Sequence, residues 1–330
     1  MEHNVELVNR FVSDYKLPIP ITFKEELFKY YLNLLQPEYR ALDKWNYLCK
    51  IVNEQFNGKP NEFLDYYYNL REEIIQSVLH NEAYIKFNNM NMTDFSIKDK
   101  PNVSSGNIFN ENNVSKYFLS IDLKKANFQA LRKYDSDIVF GCETYEDFIG
   151  KFTDLDYVKE SKYSRQVIFG KLNPSRHITL EKYYINEIRK HLENEKLVKN
   201  MTLVSMSNDE LVYDISEYKK KYGDINVSVI VDKIKQSIND ILSLNVSVES
   251  FKLVGWRLKF KKNGKNYKTF FEKVNLINDE RTLKCIPEPI FPLTYKLYKG
   301  NETTENDLYV LYDGILTKIQ EEFEICVISE

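Results

Sequence analysis

The sequence predicts an α+β protein: a helical N-terminal region, then an antiparallel sheet with covering helices, then a β-rich C-terminal region ending in a helix. Three observations predict this. Residues 1–90 carry apolar side chains at helical spacing. Residues 116–215 run in the order strand, helices, hairpin, which suits helices packed on one face of an antiparallel sheet. Strand-like alternation dominates after residue 250. With 43% apolar and 14% aromatic residues in 330, the chain can bury a sizeable core. Its length allows one large domain or a few intimate subdomains.

The elements follow from local signals. Thr22-Phe-Lys-Glu25 has capping-box spacing ahead of the stripe Leu27, Tyr30, Tyr31 and Leu34. Helical patterns continue over 39–56 and 60–80, and their aromatics, Tyr66 to Tyr68 among them, suit core packing better than base stacking. These helices also leave room for a protein partner. Residues 91–115, rich in Asn, Ser and Lys, read as a linker or long loop between the N-terminal subdomain (1–90) and an α+β core (116–225) with a short helical insert. Lys219-Lys-Lys221 reads as a solvated loop. A C-terminal α+β subdomain (226–330) opens with a helix near 228–243, whose apolar face holds Val229, Ile230, Ile234, Ile238, Ile241 and Leu242. Trp256 to Phe271 reads as a hairpin, with Asn263-Gly264 suited to a type I′ turn. Pro287, Pro289 and Pro292 interrupt regular structure, and a last helix is expected over 304–322.

Composition narrows the chemistry. A net charge of −3 argues against a non-specific coat for nucleic acid, while leaving room for a local basic groove. The basic, aromatic-bearing segment Lys259 to Lys268 suits such a groove, and equally a strand edge guarded by lysine. Four scattered cysteines without CxxC, and four histidines without HExxH, argue against a zinc or disulfide framework. Neither GxxxxGK[ST] nor GxGxxG occurs. With no apolar run of membrane length and no signal-like start, the expectation is a cytoplasmic protein with no membrane partner.

Two acids carry the chemical interest. Lys116-Tyr-Phe-Leu-Ser-Ile-Asp122 is a strand ending on Asp122. Leu203 to Ile215 is a hairpin with Asp209 and Glu210 at its tip. Two strand-borne carboxylates from distant points in the chain can meet and hold a hard divalent cation, Mg²⁺ or Mn²⁺. Phosphoryl transfer needs such ions and no covalent nucleophile, and the chain offers no convincing Ser-His or Cys-His set.

The motifs resemble those of palm-type nucleotidyltransferases, family A DNA polymerases in particular. Ser120-Ile-Asp-Leu-Lys-Lys-Ala-Asn-Phe-Gln-Ala-Leu-Arg132 is similar to their first palm motif, Ser207-Asn-Asp-Glu-Leu-Val to their His-Asp-Glu-Leu-Val motif, and Arg165-Gln-Val-Ile-Phe-Gly170 to their fingers-helix signature. The resemblance implies a palm-like sheet in which Asp122 and Asp209 bind metal and Glu210 supports them. It implies that Arg165 contacts the triphosphate and Phe169 stacks on the nucleotide. Lys171 and Arg176 are further cations open to that phosphate role. Two positions depart from the family pattern: Asn127 stands where those polymerases carry Glu, a position tied to sugar selection, and Arg165 replaces Lys. The matched residues form a small part of the chain. The short interval between Asp122 and Asp209 is closer to reverse transcriptases and RNA-virus polymerases. That suits a minimal palm of the kind a bacteriophage encodes, acting in the host cytoplasm on a nucleoside triphosphate and nucleic acid.

Each motif also has a plainer use. Asp122 suits the cap of a following helix, Asp209 and Glu210 suit an ordinary turn, Arg165 suits a surface ion pair and Phe169 suits the core. Three readings therefore stand: a metal-dependent nucleotidyltransferase, a catalytically inactive palm-derived module binding nucleic acid or a replication protein, and an α+β structural or host-interaction factor whose acids lie far apart.

Overall fold

A computed structural model of the chain describes residues 3–103 and 108–328. Five helices open it: α1 (Val5–Tyr15), α2 (Glu25–Tyr39), α3 (Ala41–Gln55), α4 (Pro60–Leu79) and α5 (Glu82–Asn89). Side-chain oxygens of Asn4 and Asn81 cap α1 and α5 by accepting from first-turn amides. The capping box expected at Thr22 does not form. Lys24 is the residue before α2, and the Thr22 hydroxyl donates to Asn9 instead. The aromatics pack inward as expected: Phe11, Phe28 and Trp45 meet edge-to-face with ring centroids 4.9–6.3 Å apart. The Tyr66 hydroxyl bonds to Thr153 in a half-buried position, and the Tyr68 hydroxyl donates to Glu6 at the surface.

The segment 91–115 is irregular apart from two short 3₁₀ turns, Thr93–Phe95 and Glu111–Asn113, and part of it lies outside the described residues. Next come β1 (Tyr117–Leu123), α6 (Ala126–Tyr134), α7 (Tyr145–Gly150), α8 (Asp156–Glu160), α9 (Lys162–Lys171) and α10 (Pro174–Asn194). The hairpin of β2 (Thr202–Met206) and β3 (Glu210–Asp214) follows. Helix α11 (Ser216–Ser237) is broken at Gly223, where φ is +76°, and runs into a π turn at Ile238–Leu242. It therefore starts well before residue 228. Lys219–Lys221 lie on it and not in a loop, with Lys219 paired to Asp224 and set over the Tyr117 ring at 4.2 Å.

Strands β4 (Val246–Phe260), β5 (Asn266–Asn275) and β6 (Arg281–Lys284), helix α12 (Phe291–Tyr298), and strands β7 (Tyr309–Tyr312), β8 (Ile315–Lys318) and β9 (Phe323–Val327) complete the fold. The main sheet is antiparallel in the order β2-β3-β1-β4-β5-β6. The first half of β4 pairs with β1, and its far end pairs with β9. One continuous sheet thus crosses the 225/226 division suggested by the sequence.

Strand alternation gives the sheet two unlike faces. Leu119, Ile121, Leu123, Leu211 and Tyr213 point into the main core, under α6, α10 and α11. Phe118, Val212, Phe251, Leu253 and Phe271 point the other way and form a smaller cluster with Ile108. Ser120, Asp122 and Glu210 share that second face, nearer the end of the strands.

Two C-terminal expectations are corrected. Residues 304–322 form no helix. Thr304 and Asp307 do build a capping box, but it opens a single 3₁₀ turn, Glu305–Leu308, before β7. The β-prone Tyr309-Val-Leu-Tyr312 then reaches Asp313-Gly314, both at positive φ (48° and 77°), and the chain reverses into β8. That is the type I′ turn. At Asn263-Gly264 only Gly264 has positive φ, and a wider loop joins β4 to β5. The C-terminal block closes back onto α2, where Tyr30 donates to Asp307 and Lys299 pairs with Glu38.

Gly255 lies in β4 where a Cβ would sit 2.6 Å from Val114 Cγ2 and 2.9 Å from Ile328 Cδ1. Gly255→Ala is expected to destabilise the protein by about 1–2 kcal/mol through overpacking. Urea unfolding midpoints check this, and an unchanged midpoint refutes it.

Candidate active site

The register brings the acids together. Asp122 on β1 is the direct cross-strand partner of Glu210 on β3, a relation that sets Cβ atoms about 4.5–5.5 Å apart. The amide of Leu123 donates to the Asp209 carbonyl at 2.8 Å, so Asp209 lies beside the same strand end. The hairpin tip is a two-residue turn in which Ser207 N–H bonds to Glu210 O at 2.9 Å. The Ser207 hydroxyl bonds to the Asp209 carboxylate at 3.1 Å, and Ser120 donates to the Glu210 carboxylate. Asp122 is no helix cap: α6 begins at Ala126, after Lys125 in a left-handed conformation.

Like charges directly opposed in a sheet are unfavourable. Here burial, then Asp209, then Glu210 push the Asp122 carboxyl up to about 6, with Lys162 and Lys273 opposing. Strained electrostatics of this kind cluster at functional sites. A stability prediction follows. The fold disfavours the charged Asp122, so the penalty is absent below the ordinary 3.8 and fully present above about 6. Asp122→Asn is expected to raise stability at neutral pH by about 1 kcal/mol after solvent screening, or roughly 1–2 °C in Tm. The gain should vanish near pH 4. Equal melting temperatures at neutral pH, in chelator, would refute the crowding.

Helix α9 stands across from the acids. Its N-cap, Ser161, accepts from Ser164 N–H and donates to Asp14, which is fully buried. Asp14 also accepts from Tyr67 and Tyr157, each at 2.7 Å. Arg10, ion-paired to Asp14, lies over the Tyr163 ring at 3.8 Å. The first turn of α9 is thereby tied to α1, α4 and α8. Arg165 projects from it over the Tyr145 ring at 5.7 Å, and its guanidinium makes no hydrogen bond or ion pair among the described residues. Burial disfavours its charge, while Tyr145, Glu146 and Asp122 favour it.

The remaining sequence candidates are placed otherwise. Phe169 is 2% exposed, packed against Tyr145, Phe148 and His177. One turn beyond Arg165, its ring is part of the core packing of α9. Arg176 donates to the carbonyls of Phe87 and Met90, at 2.9 and 2.7 Å, and so closes the end of α5. Lys171 is exposed at the end of α9. Asn127 is half-buried on α6, and its Oδ1 accepts from Phe128 N–H.

Several neighbours were not anticipated from the sequence. Lys162 opens α9 one turn before Arg165, a helical spacing that could have exposed it. Glu249 sits opposite Ser120 and pairs with Lys273. Lys284 on β6 lies opposite Phe271, on the same face. Burial, and then Asp209, push the Glu181 carboxyl on α10 up to about 7.

The acids fit a hard divalent cation in one respect. The Asp122 carboxylate accepts no hydrogen bond from the described residues and is crowded by two more carboxylates, so a bound cation would relieve it. Among the described residues no three Asp, Glu, His or Cys side chains converge into a preformed cage. Mg²⁺ suits such a site, since it is commonly held by one or two carboxylates plus water and substrate phosphate. No helix among the described residues is long and apolar enough to cross a membrane. No protein-family model matches the chain, and no curated protein matches it.

Proposed function

We propose that the chain is a metal-dependent nucleotidyltransferase acting through Asp122 and Asp209. One observation carries the reading: acids from distant segments meet at one strand end, Asp122 directly opposite Glu210 with Asp209 in the adjoining turn, on the sheet face turned away from the main helical core, and within charge range of Arg165. Asp122 and Asp209 would hold Mg²⁺ or Mn²⁺, and Glu210, oriented by Ser120, would keep the local charge negative. When bound, the ion would neutralise phosphate oxygens and acidify the attacking hydroxyl. Arg165 would meet the charge of the triphosphate, from a partly buried position where a cation acts strongly. The substrates in this reading are a nucleoside triphosphate and a nucleic-acid strand. The test is incorporation of labelled nucleotides on a primed template under Mg²⁺ or Mn²⁺ titration, with Asp209→Ala alongside. Metal-dependent incorporation lost in the variant supports the reading, and its absence in the wild type overturns it.

A second reading, a non-catalytic module that binds nucleic acid or a replication protein, draws on Phe169 and Arg176. Of the residues that resemblance or charge would assign to the nucleotide, Phe169 is buried in the core and Arg176 donates to backbone carbonyls. Metal-independent binding without turnover favours this reading.

A further inference from the structure

We propose that His177 is an acid-operated latch: a proton on its ring parts α10 from α5 and α9 and so loosens the helix that carries Arg165. The inference is independent of the transferase reading. His177 lies in the first turn of α10 and is 2% exposed. Its ring is boxed in by Tyr84 and Phe87 from α5 and by Phe169 from α9, with ring centroids 6.0–6.3 Å away. Both ring nitrogens are buried, and neither has a hydrogen-bond partner among the described residues. A neutral imidazole carries one donor and one acceptor, so this box leaves both unanswered.

The titratable and charged groups on the packed helices do not pair with the ring. On α5, the Tyr84 hydroxyl accepts from Asn173 N–H at 2.8 Å, while Glu82 and Lys86 are exposed. On α9, Lys171 is exposed. On α10, Arg176 donates to the carbonyls of Phe87 and Met90. Glu181 follows one turn along α10, yet burial is the sole influence on the imidazole, which it pushes down to about 4. Protonation therefore sets a cation among aromatic rings, at the positive end of a helix, with no carboxylate to pair it. The rings offset only part of that cost, because their centroids lie at the outer limit of a cation–π contact, about 6 Å. The unfolded chain takes up the proton below the ordinary 6.5 and the folded one only below about 4. Stability is thus intact above 6.5 and falls steadily between the two values. Helices α5 and α9 have eight and ten residues, so opening begins there and not in the seven-stranded sheet.

Three measurements on the full chain test this. Ring-proton NMR follows the histidines on acidification, with the His177 signal assigned by its loss in His177→Leu. In the folded protein that ring should stay neutral to below about pH 5, and protonation near 6.5 overturns the latch. Urea unfolding from about pH 7.5 to about pH 4.5 then compares the wild type with His177→Leu and His177→Gln, both neutral throughout. Below about pH 6 the wild-type unfolding constant should rise about tenfold per pH unit more steeply than that of either variant, one proton's worth. The glutamine variant keeps a polar side chain, so the comparison survives if leucine disturbs the packing, and the NMR titration needs neither. Hydrogen exchange at about pH 5 locates the opening. Faster exchange in α5, α9 and the first turns of α10, in the wild type and not in the variants, supports the latch. The same pH dependence in wild type and variants, or exchange that rises evenly through the sheet, overturns it.

Discussion

Asp122→Ala and Asp209→Ala are each expected to lower metal-dependent nucleotide incorporation by at least about 10³-fold while the protein remains folded. A divalent ion at a transferring phosphoryl group contributes several kcal/mol of charge stabilisation, and each 1.4 kcal/mol is about tenfold in rate. Losing one of two carboxylates should remove most of that, because no nearby side chain is placed to substitute. Glu210 is held by Ser120, and Glu249 is paired with Lys273. Folding should survive, since Asp122 is a crowded anion and its removal relieves repulsion. Asp209 lies in a turn held by backbone bonds that alanine keeps. Single-turnover incorporation with matched circular dichroism measures both parts. Wild-type-like turnover in either variant would dismiss the two-carboxylate centre.

Asp14→Ala is expected to destabilise the fold by about 3–5 kcal/mol, the range for removing one partner of a buried charge network. Asp14 is fully buried and accepts hydrogen bonds from Tyr67, Tyr157 and Ser161, all at 2.7 Å, with Arg10 Nε at 3.2 Å. Alanine would strand a nearly buried guanidinium and three hydroxyls in a site that water cannot easily enter. Asp14→Asn keeps an acceptor oxygen and should cost less. Because the network holds the cap of α9, the loss should also loosen Lys162 and Arg165. Urea unfolding at neutral pH measures the difference, and a change under about 1 kcal/mol would refute the network's importance.

The legibility of the chain was uneven, for identifiable reasons. The N-terminal helices and β1 were readable because their apolar periodicity reports directly on one buried face. The tip acids were readable because a short apolar-acid-apolar pattern has few other foldings. The C-terminal tail was misread as a helix because Thr304 and Asp307 do form a cap, while the Asp313-Gly314 turn that ends the element lies further on. The burial of Phe169 and the hydrogen bonds of Arg176 to the carbonyls of Phe87 and Met90 were not legible, because both depend on how distant helices dock.

By itself the sequence determined the α+β class, the helical N-terminal region and the identity of Asp122, Asp209 and Glu210 as strand-end acids. These depend on local spacing and on side-chain chemistry. Only the tertiary structure decided that Asp122 faces Glu210, that Asp14 anchors α9, and that Lys273 and Lys284 stand on the face that carries the acids. Strand register and helix docking bring residues distant in the chain within charge range, and a one-residue slip would reverse each strand's faces. Local pattern carries no record of that pairing.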